Sequence, residues 1–189
     1  MATKGRKNTQ SKPVGMIAGC RKDSQSVTAD WTQLQTLIDG VKLREVKHVS
    51  KENGHLTEIF RKDWALDTGE VDQVFQVSLL PGGLSAWHTH VMTIDRLFVN
   101  SGLVKVVFYD ARRESPTYKL VNVFRLGTVR PGLVVIPPGV WHGVQNIGNE
   151  TGLVLNLVDK AYQYEDPDHW RLPWDTDKIP YRFTKGVNS

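Results

Sequence analysis

A single cysteine, Cys20, stands in a chain of 189 residues, so no intrachain disulfide can brace the fold and no oxidising compartment is implied. No apolar run approaches the roughly 20 residues of a membrane-spanning helix. Ile17-Ala18-Gly19-Cys20 has the form of a lipidation site, but the apolar stretch before it is only Val14 to Ala18 and is interrupted by Gly15. A signal peptide needs roughly 7–15 apolar residues there. The expectation is a cytoplasmic protein without membrane attachment. Basic residues interleaved with aromatics are also missing, which argues against nucleic-acid binding. No internal repeat and no linker divides the chain.

What is present suits one globular domain, with 40% hydrophobic and 23% charged residues. The net charge of +4 is local, because Lys4, Arg6, Lys7 and Lys12 in the first twelve residues, with no acid among them, equal the whole excess. Residues 1–27 therefore read as a disordered, solvated basic tail, and 28–183 as a single domain. Thr28 or Asp30 can cap a short N-terminal helix in which Trp31, Leu34, Leu37 and Ile38 fall at helical spacing, ending at Gly40.

From Val41 the pattern changes to strands of five to eight residues, from Val41–Val46 to Leu153–Val158. Turn signals such as Glu52-Asn53-Gly54, Pro81-Gly82-Gly83, Ser101-Gly102 and Pro137-Pro138-Gly139 separate them. Many short strands with almost no helix between them predict an all-β closed barrel or jelly roll. Pro167 to Phe183, rich in Trp, Pro and Asp, reads as an irregular segment wrapped over the barrel.

His88-Thr89-His90 lies in one alternating strand, where residues i and i+2 share a face about 6.6 Å apart. That spacing lets two imidazoles reach one metal ion at about 2.0–2.1 Å each. Gly82 precedes His88, Asp95 and Gly102 follow His90, and Pro137-Pro138-Gly139-Val140-Trp141-His142 leads to Asn146. Each residue also has a plain reading: His142 as a hydrogen-bonded core histidine, Asp95 beside Arg96 as a surface ion pair. Trp87 and Trp141 read as pocket wall or core.

Together these segments resemble the paired signature of the cupin superfamily, with Asp95 where a glutamate is usual. The resemblance implies a double-stranded β-helix, and a divalent metal (Fe, Mn, Ni or Zn) held by His88, His90, Asp95 and His142. Aspartate remains a competent oxygen ligand.

A second resemblance covers more of the chain. Gly40-Val41, Asn53-Gly54, Glu58, Arg61, Gln73, Asp110-Ala111-Arg112-Arg113-Glu114-Ser115-Pro116-Thr117-Tyr118, Ile136-Pro137-Pro138-Gly139, His142-Gly143 and Trp174…Ile179-Pro180-Tyr181 are similar to the dTDP-4-dehydrorhamnose 3,5-epimerase family. That family moves a proton beside the 4-keto group of a nucleotide-linked sugar, and the resemblance places its histidine base at His88. The family's arginine becomes Ser85, its glutamine His90, its lysine Asp95 and its tyrosine Asn156, with Tyr162 and Tyr164 as substitutes for the tyrosine. The partner aspartate falls at Asp175 or Asp177.

A lysine attracts an enolate where an aspartate repels it, each by about 4 kcal/mol at about 4 Å and an effective dielectric near 20. A bare Asp95 is thus incompatible with the family's chemistry, yet the same changes supply the metal ligands His90 and Asp95. The leading expectation is a metal-assisted isomerase or epimerase of a keto-sugar, with His88, Tyr162 and Asp175 as catalytic candidates. If His88 is a ligand, another group must act as base. The alternatives are a metal-free epimerase or ketoisomerase with His88 as base, a metal-dependent dioxygenase, and a non-catalytic sugar-binding cupin. The resemblance also implies a homodimer and a sugar or nucleotide-sugar partner.

Overall fold

The computed structural model of the chain describes residues 15–30, 32–184 and the backbone of 187–188. The basic residues Lys4, Arg6, Lys7 and Lys12 lie outside the described residues, as does Trp31. Two units are distinguished, Met1–Thr36 and Leu37–Ser189.

The described part of the first unit contains no helix, which corrects the expectation of one beginning at Thr28 or Asp30. Val27 instead bridges Gln33 in antiparallel fashion, with Leu34 N donating to Ser26 O at 2.8 Å and Thr28 N to Thr32 O at 2.8 Å. The would-be caps explain the outcome. Thr28 Oγ1 bonds the Asp30 carboxylate and accepts from Thr32 N, while Thr32 Oγ1 also donates to Asp30. These local bonds satisfy the backbone in a turn and compete with helix.

The second unit is all-β. Its strands are β1 (Lys42–Glu45), β2 (His48–Lys51), β3 (Gly54–Thr57), β4 (Gln73–Leu79), β5 (Gly83–Thr89), β6 (Asp95–Ser101), β7 (Leu103–Asp110), β8 (Val121–Gly127), β9 (Gly132–Ile136), β10 (Val140–Asn146), β11 (Gly152–Val158), β12 (Trp170–Arg171) and β13 (Val187–Asn188). One sheet runs β1-β9-β6-β11-β4 and the other β12-β5-β10-β7-β8, with β13 parallel to β5 and β2-β3 a separate hairpin. Among the described residues the only helical turn is a 3-10 turn at Lys62–Trp64, and no helix is long and apolar enough to cross a membrane.

The alternation of β7 explains the layering. Val104, Val106 and Phe108 point between the sheets, where they pack with Leu97, Val99, Phe124, Leu126, Val134 and Ile136. The opposite face carries Val107 and Tyr109, and it too is buried, under Ile179, Tyr181 and Phe183 of the C-terminal segment, beside Trp87. This is why β7 reads as a nearly continuous apolar run. Burying one such side chain contributes about 1.5–3 kcal/mol, so the C-terminal segment is an integral third layer.

Two glycines set the register near the site. Gly102 turns β6 into β7 at φ +77°, a left-handed conformation costly for other residues. Gly143 lets β10 approach β5 so closely that a Cβ there would lie 2.4 Å from that of Ala86.

Candidate active site

The close approach of β5 and β10 pairs His142 with His88 across the strands, their ring centroids 4.1 Å apart. His90 follows on the same face as His88. The facing sheet contributes Asp95 at the start of β6 and Asn156 on β11. The site therefore lies between the two sheets. These side chains line or border a cavity of about 590 Å³, within the 300–1,000 Å³ typical of small-molecule sites. Ser85, His88, His90, Asp95 and Asn156 are on its wall; His142 is buried behind it at 1% exposure.

Asp95 is the hub. Its Oδ2 lies 3.2 Å from His90 Nε2 and 3.3 Å from His142 Nε2, and its Oδ1 accepts from Asn156 Nδ2 at 2.6 Å. The other ring nitrogens are committed elsewhere: His142 Nδ1 lies 3.0 Å from Val140 O, and His90 Nδ1 contacts Asp168 O. A carbonyl oxygen only accepts, so each Nδ1 carries the ring proton. Both Nε2 atoms then turn a lone pair toward a carboxylate oxygen. Such an arrangement takes up a cation, or a second proton on a ring. Outer bonds from Nδ1 to backbone carbonyls are the usual way that metal-binding histidines are oriented.

Electrostatics follow from this geometry. Burial opposes a charge on Asp95, but the nearby His142 and His90 outweigh it and hold the carboxyl well below the usual range. Burial likewise opposes a charged His90, yet Asp95 and the Asp168 carbonyl raise its pKa. His88 goes the other way: burial, then His142 and His169, push it well below 6.5 and keep it neutral. His88 Nδ1 is buried without a hydrogen-bond partner.

The four expected ligands thus share one neighbourhood but not one cluster. His90, Asp95 and His142 form one close triad, and His88 joins a second with His90 and His169. His169 was not among the residues singled out from the sequence. Of the other candidates, Tyr162 lines the cavity and is 47% exposed. Tyr164 stacks edge-on against it, centroids 5.4 Å apart, outside the cavity wall. Asp175 and Asp177 are exposed and also off the wall.

One plain reading fails. Arg96 does not pair with Asp95. It points to the opposite face, fully buried, and donates to Asp67, Gly69 O and Leu157 O. The segment Asp110 to Thr117 forms a closed loop: the Asp110 carboxylate accepts from Arg112, Ser115 and Thr117 and is absent from the cavity wall.

The family model for dTDP-4-dehydrorhamnose 3,5-epimerase matches residues 35–185. The chain belongs to this family. Among curated relatives, a protein from Haloferax volcanii named "Probable low-salt glycan biosynthesis epimerase Agl13" is 37% identical over 141 residues, 73% of this chain and 89% of that one. The spore coat polysaccharide biosynthesis protein SpsL of Bacillus subtilis is 31% identical over 147 residues, 78% and 97% of the two chains. The crystal structure of a dTDP sugar isomerase from Desulfovibrio desulfuricans superposes with a TM-score of 0.71 at 28% identity, covering 76% of this chain and 90% of that one. A Bacillus anthracis dTDP-4-dehydrorhamnose 3,5-epimerase, solved with TDP and pyrophosphate, gives 0.72 at 21% identity over 82% and 93%, a likeness of fold. Membership in the dTDP-4-dehydrorhamnose 3,5-epimerase family makes the chain an enzyme of the sugar-epimerase class, which sets aside the non-catalytic reading.

Proposed function

We propose that the chain epimerises a nucleotide-linked 4-keto sugar by proton transfer beside the carbonyl, with His88 as base and a divalent cation held by His90, Asp95 and His142. The observation that carries the cation is the convergence of two Nε2 atoms on one carboxylate oxygen, 3.2 and 3.3 Å away. The separation of the two triads supports a divided role. His88 need not be a ligand of the Asp95 cation, which leaves its imidazole free to accept a proton.

In this reading His88 removes the proton on one side of the sugar, and Tyr162, on the cavity wall, returns one on the other. Asn156 holds Asp95 in place through its 2.6 Å bond. Asp175 and Asp177 take no part. A cation at the triad would supply the positive charge that stabilises an enolate oxygen, the task of the family's lysine.

A metal-free reading is favoured by the raised pKa of His90, since a second proton on that ring would balance Asp95. Elemental analysis and solvent-deuterium exchange on nucleotide-linked 4-keto sugars decide the matter. About one equivalent of metal in the parent, little in Asp95→Ala, and deuterium beside the carbonyl are expected. Full exchange by chelated, metal-free enzyme would overturn the cation. No exchange with any such sugar would overturn the reaction.

A further inference from the structure

We propose that His88, His90 and His169 form a second cation position, selective for nitrogen-seeking ions, whose filling takes the base out of use. The last clause rests on the reading of His88 as base; the site itself rests on geometry. One ring nitrogen from each of the three lies within 4.8 Å of the other two. The ring of His169 is 5.0 Å from those of both His88 and His90. Two buried ring nitrogens here, His88 Nδ1 and His169 Nε2, have no hydrogen-bond partner. Buried polar atoms are rarely left so without cause, and an ion is one such cause.

His169 is placed by design of the chain on both sides. After it, β12 pairs with β5, Trp170 opposite Thr89 and Arg171 opposite His88. Before it, the Asp168 carboxylate accepts from the backbone N–H groups of Val91 and Met92 at 2.8 Å and of Thr93 at 3.1 Å. The imidazole is thereby held over the cavity rather than left to solvent.

The donor sets of the two positions differ in chemistry. The Asp95 triad includes a carboxylate and suits Mn2+ or Fe2+, whereas three neutral imidazoles favour Zn2+, Ni2+ or Cu2+. His90 belongs to both, and its Nδ1 is engaged by the Asp168 carbonyl. Only its Nε2 remains to serve either ion, so the positions compete and do not fill together.

The test is calorimetric titration of metal-stripped protein with MnCl2 and with ZnCl2, comparing the parent with His169→Ala, His169→Gln and Asp95→Asn. Both His169 variants are expected to bind Zn2+ about tenfold or more weakly and Mn2+ within about twofold of the parent. Asp95→Asn is expected to weaken Mn2+ in turn. The glutamine variant keeps the bulk of the side chain, and circular dichroism confirms that each variant is folded. Unchanged Zn2+ affinity in both His169 variants would overturn this inference while leaving the Asp95 position standing. Absence of Mn2+ binding in the parent, with Zn2+ binding lost in the His169 variants, would do the reverse.

Discussion

Replacing Asp110 by alanine is expected to cost stability and leave chemistry intact, although it lies in a stretch that resembles the family. Its carboxylate is fully buried and accepts Arg112 N at 3.0 Å, Arg112 Nε and Nη2 at 2.9 Å each, Ser115 Oγ at 2.5 Å and Thr117 Oγ1 at 2.7 Å. Removing it takes the shared acceptor from a guanidinium and two hydroxyls, leaving Arg112 with Asp39 O and the two hydroxyls with each other. Breaking a buried ion pair from one side costs about 3–5 kcal/mol. Arg112 keeps 28% side-chain exposure, so the lower end, about 3 kcal/mol, applies. At about 2 kcal/mol per molar urea, the midpoint falls by about 1.5 M. The sign with pH follows from the same bonds. Burial opposes the charge, but Arg112, Ser115 and Thr117 depress the folded pKa below its ordinary value. The stabilisation is therefore present above the unfolded pKa of about 3.9 and is lost as pH falls toward the folded value. Urea titrations between pH 6 and pH 2.5 should show the parent and Asp110→Asn converging at the acid end. A midpoint shift below about 0.5 M in Asp110→Ala, or a loss of kcat in fully folded variant, would refute the assignment of this loop to architecture.

Other expectations follow from the site and the sheet edges. His88→Asn should lower kcat by about 10²–10⁴-fold with an unchanged urea midpoint, the range for loss of a general base; a smaller loss would move that role elsewhere. Arg96→Met should destabilise by about 3 kcal/mol, because Asp67 would be left facing a buried thioether; equilibrium unfolding measures it, and a near-neutral result would contradict the pairing. The edge strand β4 exposes Val74 at 56% and the β2–β3 hairpin exposes Val49 and Leu56 at 51% and 50%. We propose that these edges pair two copies in solution, so light scattering should give a dimer mass, and Val74→Lys should shift it toward monomer. A monomeric parent at micromolar concentration would remove that proposal.

How far the sequence could carry the reading depended on the range of the interaction that fixes each element. Strands such as Gly132–Ile136 and Leu103–Asp110 announce themselves because their apolar runs end in turn residues within the same window. His88 and His90 are legible because a strand fixes i and i+2 on one face. Asp95 and His142 were reached through a family pattern, since no local rule says that β6 and β10 meet across a barrel. His169 had no such pattern. It enters the site because β12 pairs with β5 some eighty residues earlier, and a two-residue strand leaves no periodicity to detect. The helix expected after Thr28 is absent for the converse reason: apolar spacing favours it, but the local bonds of Thr28, Asp30 and Thr32 compete with it.

The three departures that the family resemblance implies at positions 90, 95 and 156 read as one change rather than three. In the structure they are in contact in series, Asn156 Nδ2 donating to Asp95 Oδ1 at 2.6 Å and Asp95 Oδ2 lying 3.2 Å from His90 Nε2. Placing the family's lysine alone at position 95 would bury an ammonium, on a longer side chain, where the pocket holds the carboxylate of Asp95. It would also remove the acceptor of Asn156. Asp95→Lys alone should therefore unfold or nearly unfold the barrel, at a cost of about 3–5 kcal/mol. Combined with His90→Gln and Asn156→Tyr, the ammonium gains an amide oxygen and a phenol oxygen as acceptors, and the cavity of about 590 Å³ has room for the larger ring. The triple variant should then be more stable than the single one by at least about 1 kcal/mol, a coupling of the size found for residues in one bonded network. Strict additivity of the three substitutions in urea unfolding would show that the residues were replaced independently, and the case for a jointly refitted cation site would lose its structural basis.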